Sequence, residues 1–367
     1  MVTTRAAVVE APGAPFTLAE VELDEPRAHE VLVRLVAAGL CHTDLGVRAG
    51  GIPFKLPGVL GHEGAGVVER VGTGVTKVAP GDKVLLSFTS CGHCGNCRGG
   101  HPAYCQTWLL RNLISGTRED GTATIDRDGT PIGGHFFGQS SFAGMALADE
   151  RSVVKVGDTA DLTVLAPLGC GVQTGFGTVW NVLAPRPGSS LAVFGTGAVG
   201  LSAIMAARAL PLTAVIAVDK VPARLELARE LGATHTVHAG ETDLASALAE
   251  ATGGAGLDHA VDTTGNPGVL RTAVDALGTG GTCAVVGAPP AGTEVALDIQ
   301  SLLIGKRIVG VTLGDGEPET LLPQLVAMWE RGSLPLDKLI RHYALEELDQ
   351  AADDMRHGRA VKPVIRL

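Results

Sequence analysis

At 367 residues, with 45% hydrophobic and 19% charged side chains, the chain has material for two domains with real cores, and general disorder is excluded. A net charge of −10 argues against a nucleic acid or an anionic membrane surface as partner, because both are held through basic patches. No apolar run approaches the roughly 20 residues of a membrane-crossing helix, and the stretch from Met1 to Pro12 lacks the layout of a secretory signal, so the expectation is a cytoplasmic protein.

In that compartment the seven cysteines read as metal ligands or structural thiols rather than disulfides. Ala6 to Val9 and Glu30 to Val36 are β-branched runs separated by Pro and Gly, and Gly64 to Gly72 and Gly81 to Leu86 continue them. Strands this short, interrupted this often, predict a β-rich barrel or sandwich domain. At its junctions stand Cys41-His42-Thr43-Asp44 and Gly61-His62-Glu63-Gly64. Thiolate and neutral imidazole are preferred zinc ligands, and a catalytic zinc takes three protein ligands and leaves a fourth position open. Alone, the pair is equally compatible with a buried Cys and a His satisfied by Asp44 or Glu63.

Next come Cys91, Cys94, Cys97 and Cys105, spaced C-x2-C-x2-C-x7-C in a Gly-rich lobe. Four thiolates complete a tetrahedral zinc and leave no room for substrate, which predicts a structural site. An iron–sulfur cluster is the alternative that spacing leaves open. His93 and His101 are not needed as ligands and are expected at the surface. Residues 111 to 150 read as a loop-rich return, in which His135 to Ala143 is apolar and aromatic and by spacing alone reads as core. Leu162 to Leu183 reads as helix after Thr174. It holds Cys170, which is either a third zinc ligand or a buried small hydrophobe, as Cys283 is expected to be.

The strand Leu191 to Phe194 then runs into Gly195-Thr196-Gly197-Ala198-Val199-Gly200, an alanine-rich helix and a second strand ending in Asp219. This is a dinucleotide-binding unit in its full context. Gly195 makes the tight turn, Gly197 lets amides approach the pyrophosphate, and Gly200 lets helix and strand pack closely. Asp219 is placed to accept from the adenosine ribose hydroxyls and to repel a 2′-phosphate, which predicts NAD; Lys220 and Arg224 moderate that preference. Helices at 223–231 and 243–252 alternate with strands at 236–237, 257–262 and 282–287, predicting a parallel doubly wound sheet. Two amphipathic helices, 321–332 and 345–358, and a strand at 363–367 close the chain.

On these residues the chain resembles the zinc-containing medium-chain alcohol dehydrogenases over essentially its whole length. The resemblance is carried by Cys41 to Asp44, Gly61 to Val68, the four-cysteine lobe, Leu168 to Gly175, and Val193 to Gly200. Phe136 to Ala143 and Gly287 to Pro290 further resemble the aryl (benzyl) and terpene alcohol dehydrogenases. The resemblance implies an α/β chain with a β-rich GroES-like catalytic domain at 1–173, completed by 313–367, and a Rossmann NAD-binding domain at 174–312. It implies two zinc ions per chain, a catalytic one on Cys41, His62 and Cys170 and a structural one on Cys91, Cys94, Cys97 and Cys105. Asp44 then orients His62, Glu63 approaches the metal from behind, and Thr43 takes the substrate's proton.

By the same resemblance Thr174 and Val193 lie against the nicotinamide, with Gly195, Gly197, Val199, Gly200, Asp219 and Arg224 also on the cofactor. His42 and Lys362 lie near the pyrophosphate, and Phe88 and Phe136 wall the substrate pocket. The implied reaction is reversible oxidation of primary aromatic or allylic alcohols, of benzyl alcohol or geraniol type, to aldehydes by hydride transfer to NAD, in a homodimer or homotetramer. Many members end their proton relay in a His where this chain has Gly46, so the proton leaves by water or by His42. A glutathione-dependent formaldehyde dehydrogenase is the enzyme alternative. A zinc-lobed NAD-sensing or nucleic-acid-binding module is the other, disfavoured by the charge and by the Cys41/His62/Cys170 set.

Overall fold

The computed structural model describes residues 1–241 and 243–367. They form two compact units, Met1–Cys170 with Glu317–Leu367, and Gly171–Gly316. The division falls at Cys170/Gly171 and Gly316/Glu317 rather than at 173/174 and 312/313. The cause is local packing: Gly171–Gly177 is already helical, and the turn Leu313–Asp315 lies against it within the second unit. A Cβ on Gly177 would stand 2.3 Å from the Gly314 carbonyl oxygen.

The first unit is built from two β-sheets. One has five strands, in the order Gly58–Val59, Val2–Val9, Phe16–Leu23, Ile125–Arg127, Thr130–Ile132. The other has seven, running Val153–Lys155, Lys83–Leu86, Gly64–Val71, Glu30–Gly39, Lys362–Arg366, Ile340–Ala344, with Met145–Asp149 also paired to Glu30–Gly39. Glu30–Gly39 has neighbours along both edges, and its Val-Leu-Val-Arg-Leu-Val run is buried except at Arg34, which is exposed, and Val36, which is half-buried. Val31, Val33, Leu35, Val68, Val84, Leu86, Ala146 and Val153 form its core. The chain's last strand pairs antiparallel with this central strand, Val364 opposite Gly39, which is how the C-terminal segment belongs to the first unit.

The second unit is a six-stranded parallel sheet in the order His235–His238, Ala214–Asp219, Ser190–Phe194, Leu257–Asp262, Leu277–Val285, Arg307–Gly310. The chain starts at the third position and reverses between Ser190–Phe194 and Leu257–Asp262. That switch point is where open parallel sheets take their ligands. The α/β expectation therefore holds, with differences at element ends. The helix after the glycine loop is Ala198–Arg208, beginning inside the motif, and the expected helix at 321–332 is Pro318–Glu330, started by a proline in its first turn. Strands Ile125–Arg127, Met145–Asp149 and Ile340–Ala344 were not expected from the sequence, and Phe16–Leu23 was not delimited within the expected β-rich start. Phe16–Leu23 and Ile340–Ala344 are half-exposed and mixed in character, which hides their alternation. No single helix among the described residues is long and apolar enough to cross a membrane.

Candidate active site

Cys41 caps the helix His42–Arg48, in extended conformation at φ −123° and ψ 159°. Its backbone N–H donates to Asp44 Oδ2 at 2.9 Å. Asp44 is fully buried, and its Oδ1 accepts from the Gly61 N–H at 3.1 Å and from His62 Nδ1 at 3.0 Å. One carboxylate therefore ties the Cys41 turn to the His62 turn. The Nδ1 bond to Asp44 fixes the ring and leaves Nε2 as the nitrogen that could meet a metal. That Nε2 is buried and has no hydrogen-bond partner among the described residues.

The chain supplies Cys170 to the same place. Ser87 Oγ holds the preceding turn by donating to the Gly169 carbonyl at 2.7 Å. The ligand atoms of Cys41, His62, Glu63 and Cys170 all lie within 4.8 Å of one another. A hydrogen bond from Cys170, with His62 beside it, pulls the Cys41 thiol well below its usual range, while the Cys170 thiol is pushed up by the same bond and by burial. Burial would push His62 down, but the Asp44 carboxylate and Cys41 carry it up to about 10. An orphaned imidazole nitrogen facing a thiolate and a thiol is the donor set that zinc takes, so the residues fit the ion the resemblance implies.

A carboxylate oxygen of Glu63 lies within 4.8 Å of each of the other three ligand atoms. Gly39 makes room for it, since a Cβ there would stand 1.9 Å from Glu63 Oε2. The Lys362 ammonium donates to Glu63 at 2.6 Å and to the Leu40 carbonyl at 3.1 Å, and both charged groups are buried. Its strand pairs beside Glu30–Gly39, which carries the ammonium to Glu63, where leaving the buried carboxylate unpaired would be costly.

The four-cysteine lobe passes a separate fit test. Cys94 Sγ is 3.5 Å and Cys91 Sγ 3.9 Å from Cys97 Sγ. A tetrahedron of about 2.3 Å zinc–sulfur bonds has sulfur–sulfur edges of about 3.8 Å. Backbone N–H groups of Cys94 and Cys91 donate to Cys91 Sγ and Cys105 Sγ, each at 3.3 Å, favouring thiolates. His93 and His101 are exposed, as expected.

Thr43 Oγ1 lies 3.7 Å from Cys41 Sγ. His42 is exposed on the first turn of its helix. Gly46 contributes nothing to a relay, and a Cβ there would stand 2.8 Å from Ile52 Cδ1, so Ile52 fills the space. Phe136, fully buried, meets the His62 ring edge-on at 5.3 Å, and Phe54 packs on Phe136 at 5.1 Å. Phe88 is buried and lines a cavity of about 70 Å³ with Ser90, Pro102, Arg151, Glu317 and Glu319, on the four-cysteine side.

In the second unit Gly195 adopts φ 89°, open to glycine and strained for other residues. Thr263 Oγ1 donates to the Phe194 and Gly195 carbonyls at 3.0 and 2.9 Å. Gly197 caps the helix Ala198–Arg208, so Val199 and Gly200 lie in its first turn, at the positive end of the helix dipole. Asp219 ends its strand as expected. Its Oδ2 accepts from the Thr196 N–H and hydroxyl at 2.6 and 2.8 Å, and its Oδ1 from the Val221 N–H at 2.9 Å. Arg224 Nε is buried with no hydrogen-bond partner among the described residues. Val193 and Thr174 are both buried in this unit. Sequence reasoning passed over Thr196, although a hydroxyl inside the glycine loop, ahead of the ribose acid, was there to be weighed. It also passed over Gln139, whose amide binds the His62 backbone.

A β-rich unit with a Cys/His/Cys donor cluster and a parallel-sheet unit with a dinucleotide loop together define a zinc alcohol dehydrogenase. Residues 27–158 match the alcohol dehydrogenase GroES-like domain and residues 198–328 the zinc-binding dehydrogenase domain. A geraniol dehydrogenase of Castellaniella defragrans is 44% identical over 99% of this chain and 98% of its own. The crystal structure of an alcohol dehydrogenase zinc-binding domain protein from Burkholderia ambifaria, 51% identical, superposes with a TM-score of 0.97 over 100% of this chain and 99% of its own. That of a benzyl alcohol dehydrogenase from Acinetobacter calcoaceticus, 44% identical, does so at 0.96 over 100% of both chains. The chain belongs to the zinc-containing medium-chain alcohol dehydrogenase family, and it is an oxidoreductase acting on small-molecule alcohols.

Proposed function

We propose that the chain oxidises primary aromatic or allylic alcohols reversibly to aldehydes with NAD, with two zinc ions per chain. The observation that carries the reading is the convergence of the partnerless His62 Nε2 with the sulfurs of Cys41 and Cys170. Zinc in such a site acts as a Lewis acid and lowers the pKa of a coordinated hydroxyl toward neutrality. Asp44 keeps His62 in the tautomer that can bind it. Thr43, whose hydroxyl lies beside Cys41, takes the substrate's proton. His42 or water carries that proton out, because Gly46 has no side chain and Ile52 fills the space.

The Cys91/Cys94/Cys97/Cys105 site is structural, since four thiolates leave no open position. The glycine loop receives the pyrophosphate and Asp219 the adenosine ribose, and a carboxylate there favours NAD over NADP. Thr174 and Val193 lie against the nicotinamide. The aromatic character of the substrate is supported by the rings of Phe136 and Phe137 against His62, with Phe54 packed on Phe136, and by relatives named for geraniol and for benzyl alcohol. A homodimer or homotetramer is supported by Ile299, Leu303, Ile304 and Ile308, exposed along and near the edge strand Arg307–Gly310.

The test is a steady-state panel of benzyl alcohol, geraniol, short secondary alcohols and S-hydroxymethylglutathione, each with NAD and NADP. Benzyl alcohol and geraniol with NAD are expected to give the highest kcat/KM. Activity confined to secondary alcohols, or to the glutathione adduct, contradicts the reading.

A further inference from the structure

The loop from His135 to Phe142 is strained where it crosses His62. Phe137 sits at φ 52° and ψ 31°, followed by Gly138 at φ 69° and Ser140 at φ 52°. A bulky aromatic at positive φ is a genuine outlier, and such a conformation persists only where its surroundings over-determine it. Here they do. Ser141 and Phe142 donate backbone N–H groups to the Gly61 and Leu60 carbonyls at 2.8 and 2.9 Å. Ser140 Oγ donates to the Val59 carbonyl at 2.7 Å. Gln139, buried, donates to the His62 and Ser87 carbonyls at 3.0 and 2.7 Å and accepts from the Gly64 N–H at 3.0 Å.

The result is a clamp on the segment that carries the ligand histidine. The Phe137 ring stacks on the His62 imidazole at 4.3 Å and 22° between planes, while Phe136 abuts its edge at 5.3 Å and 86°. One hydrogen bond from Nδ1 to Asp44 leaves an imidazole free to rock about that bond, and a ring stacked on its face removes the freedom. Phe137 is itself backed by Trp108, edge-on at 5.5 Å and three residues beyond Cys105. Trp108 is fixed in turn by Asn112, whose amide donates to the Trp108 and Thr89 carbonyls at 2.9 Å.

We propose that Phe137 is a positioning residue for His62: its ring, held over the imidazole by the strained 135–142 loop and backed by the four-cysteine lobe through Trp108, sets the plane in which Nε2 meets the metal. The inference rests on the reading that Cys41, His62 and Cys170 take zinc. Two substitutions separate the ring from the backbone. Phe137→Leu removes the ring and keeps a side chain at positive φ; Phe137→Gly removes the ring and also accepts that φ freely.

Zinc transfer from the purified, zinc-loaded proteins to a chromogenic chelator is followed in both variants, together with the visible spectrum after cobalt replaces zinc. Both variants are expected to lose the Cys41/His62/Cys170 metal about 10- to 100-fold faster than the unmutated protein, the range of partners that orient metal ligands. They are also expected to show an altered cobalt spectrum and to retain the four-cysteine metal. Release at the unmutated rate in both, with an unchanged spectrum, overturns the proposal. So does slow release in the glycine variant alone, which would trace the effect to backbone strain rather than to the ring. An unmutated protein that holds metal only on its four-cysteine lobe overturns the underlying reading instead, and shows it before any substitution is made.

Discussion

Replacing Asp44 with Asn isolates the group that joins the two halves of the candidate metal site. The carboxylate accepts three N–H donors, from Cys41, Gly61 and His62, in a fully buried position. An amide of the same shape has one acceptor oxygen and one NH2. With its oxygen at the Oδ1 position it still serves Gly61 and His62, but its NH2 then faces the Cys41 N–H, and the reverse orientation loses two partners. One buried donor left unpaired costs about 1–3 kcal/mol, and the surviving bonds weaken because their acceptor is no longer charged, giving about 2–4 kcal/mol in all. Metal affinity should fall about 10- to 100-fold, because the His62 tautomer and orientation lose their partner. Urea unfolding of the zinc-loaded protein and zinc remaining after dialysis against a chelator measure the two effects. A shift under about 0.5 kcal/mol with undiminished zinc retention refutes the reasoning.

Thr196→Val removes the hydroxyl that holds Asp219 Oδ2. NAD binding by fluorescence titration should weaken about tenfold, or about 1.4 kcal/mol, near the low end for a hydrogen bond to a charged acceptor; an unchanged Kd rules this out. Gly39→Ala places a methyl 1.9 Å from Glu63 Oε2. It should destabilise the protein by about 3–5 kcal/mol, the cost of disrupting a buried ion pair, and a melting temperature equal to that of the unmutated protein would contradict it. Asp354 accepts from Tyr343 Oη and Arg359 Nε, each at 2.7 Å, and these bonds hold its carboxyl down at about 2. Its folded-state value lies below the unfolded value of about 3.9, so its stabilisation is complete above that value and lost as pH falls toward 2. Asp354→Asn should therefore lower the urea midpoint at pH 7, with the gap closing below about pH 4; a gap that does not change with pH removes Asp354 from that role.

What could be read from the chain was chiefly local. Gly195, Gly197 and Gly200 announce themselves because a tight turn and a close helix–strand approach demand them within a few residues, and the four cysteines because their spacing is itself a metal geometry. Cys170 could not be joined to Cys41 from spacing, since nothing short-range links residues so far apart. The structure links them through Ser87 holding the Gly169 carbonyl. The contact of Lys362 with Glu63 was hidden for the same reason: it depends on pairing the last strand with Glu30–Gly39. The Phe137 conformation was invisible, because nothing in His135 to Ala143 separates an aromatic core stretch from a strained loop over a ligand. Thr196 shows a third kind of loss, in which the motif was recognised and the hydroxyl inside it was not used.

Cys41, His62 and Cys170 are proposed to form a catalytic metal site separate from the four-cysteine lobe. Native mass spectrometry of the unmutated protein and of Cys170→Ala, each paired with an assay on benzyl alcohol and geraniol, tests it most directly. Two zinc ions are expected in the former and one in the latter, with oxidation of both alcohols abolished and the remaining zinc held by the lobe. A single zinc in the unmutated protein, or a Cys170→Ala variant that keeps both its metals and its activity, would contradict it.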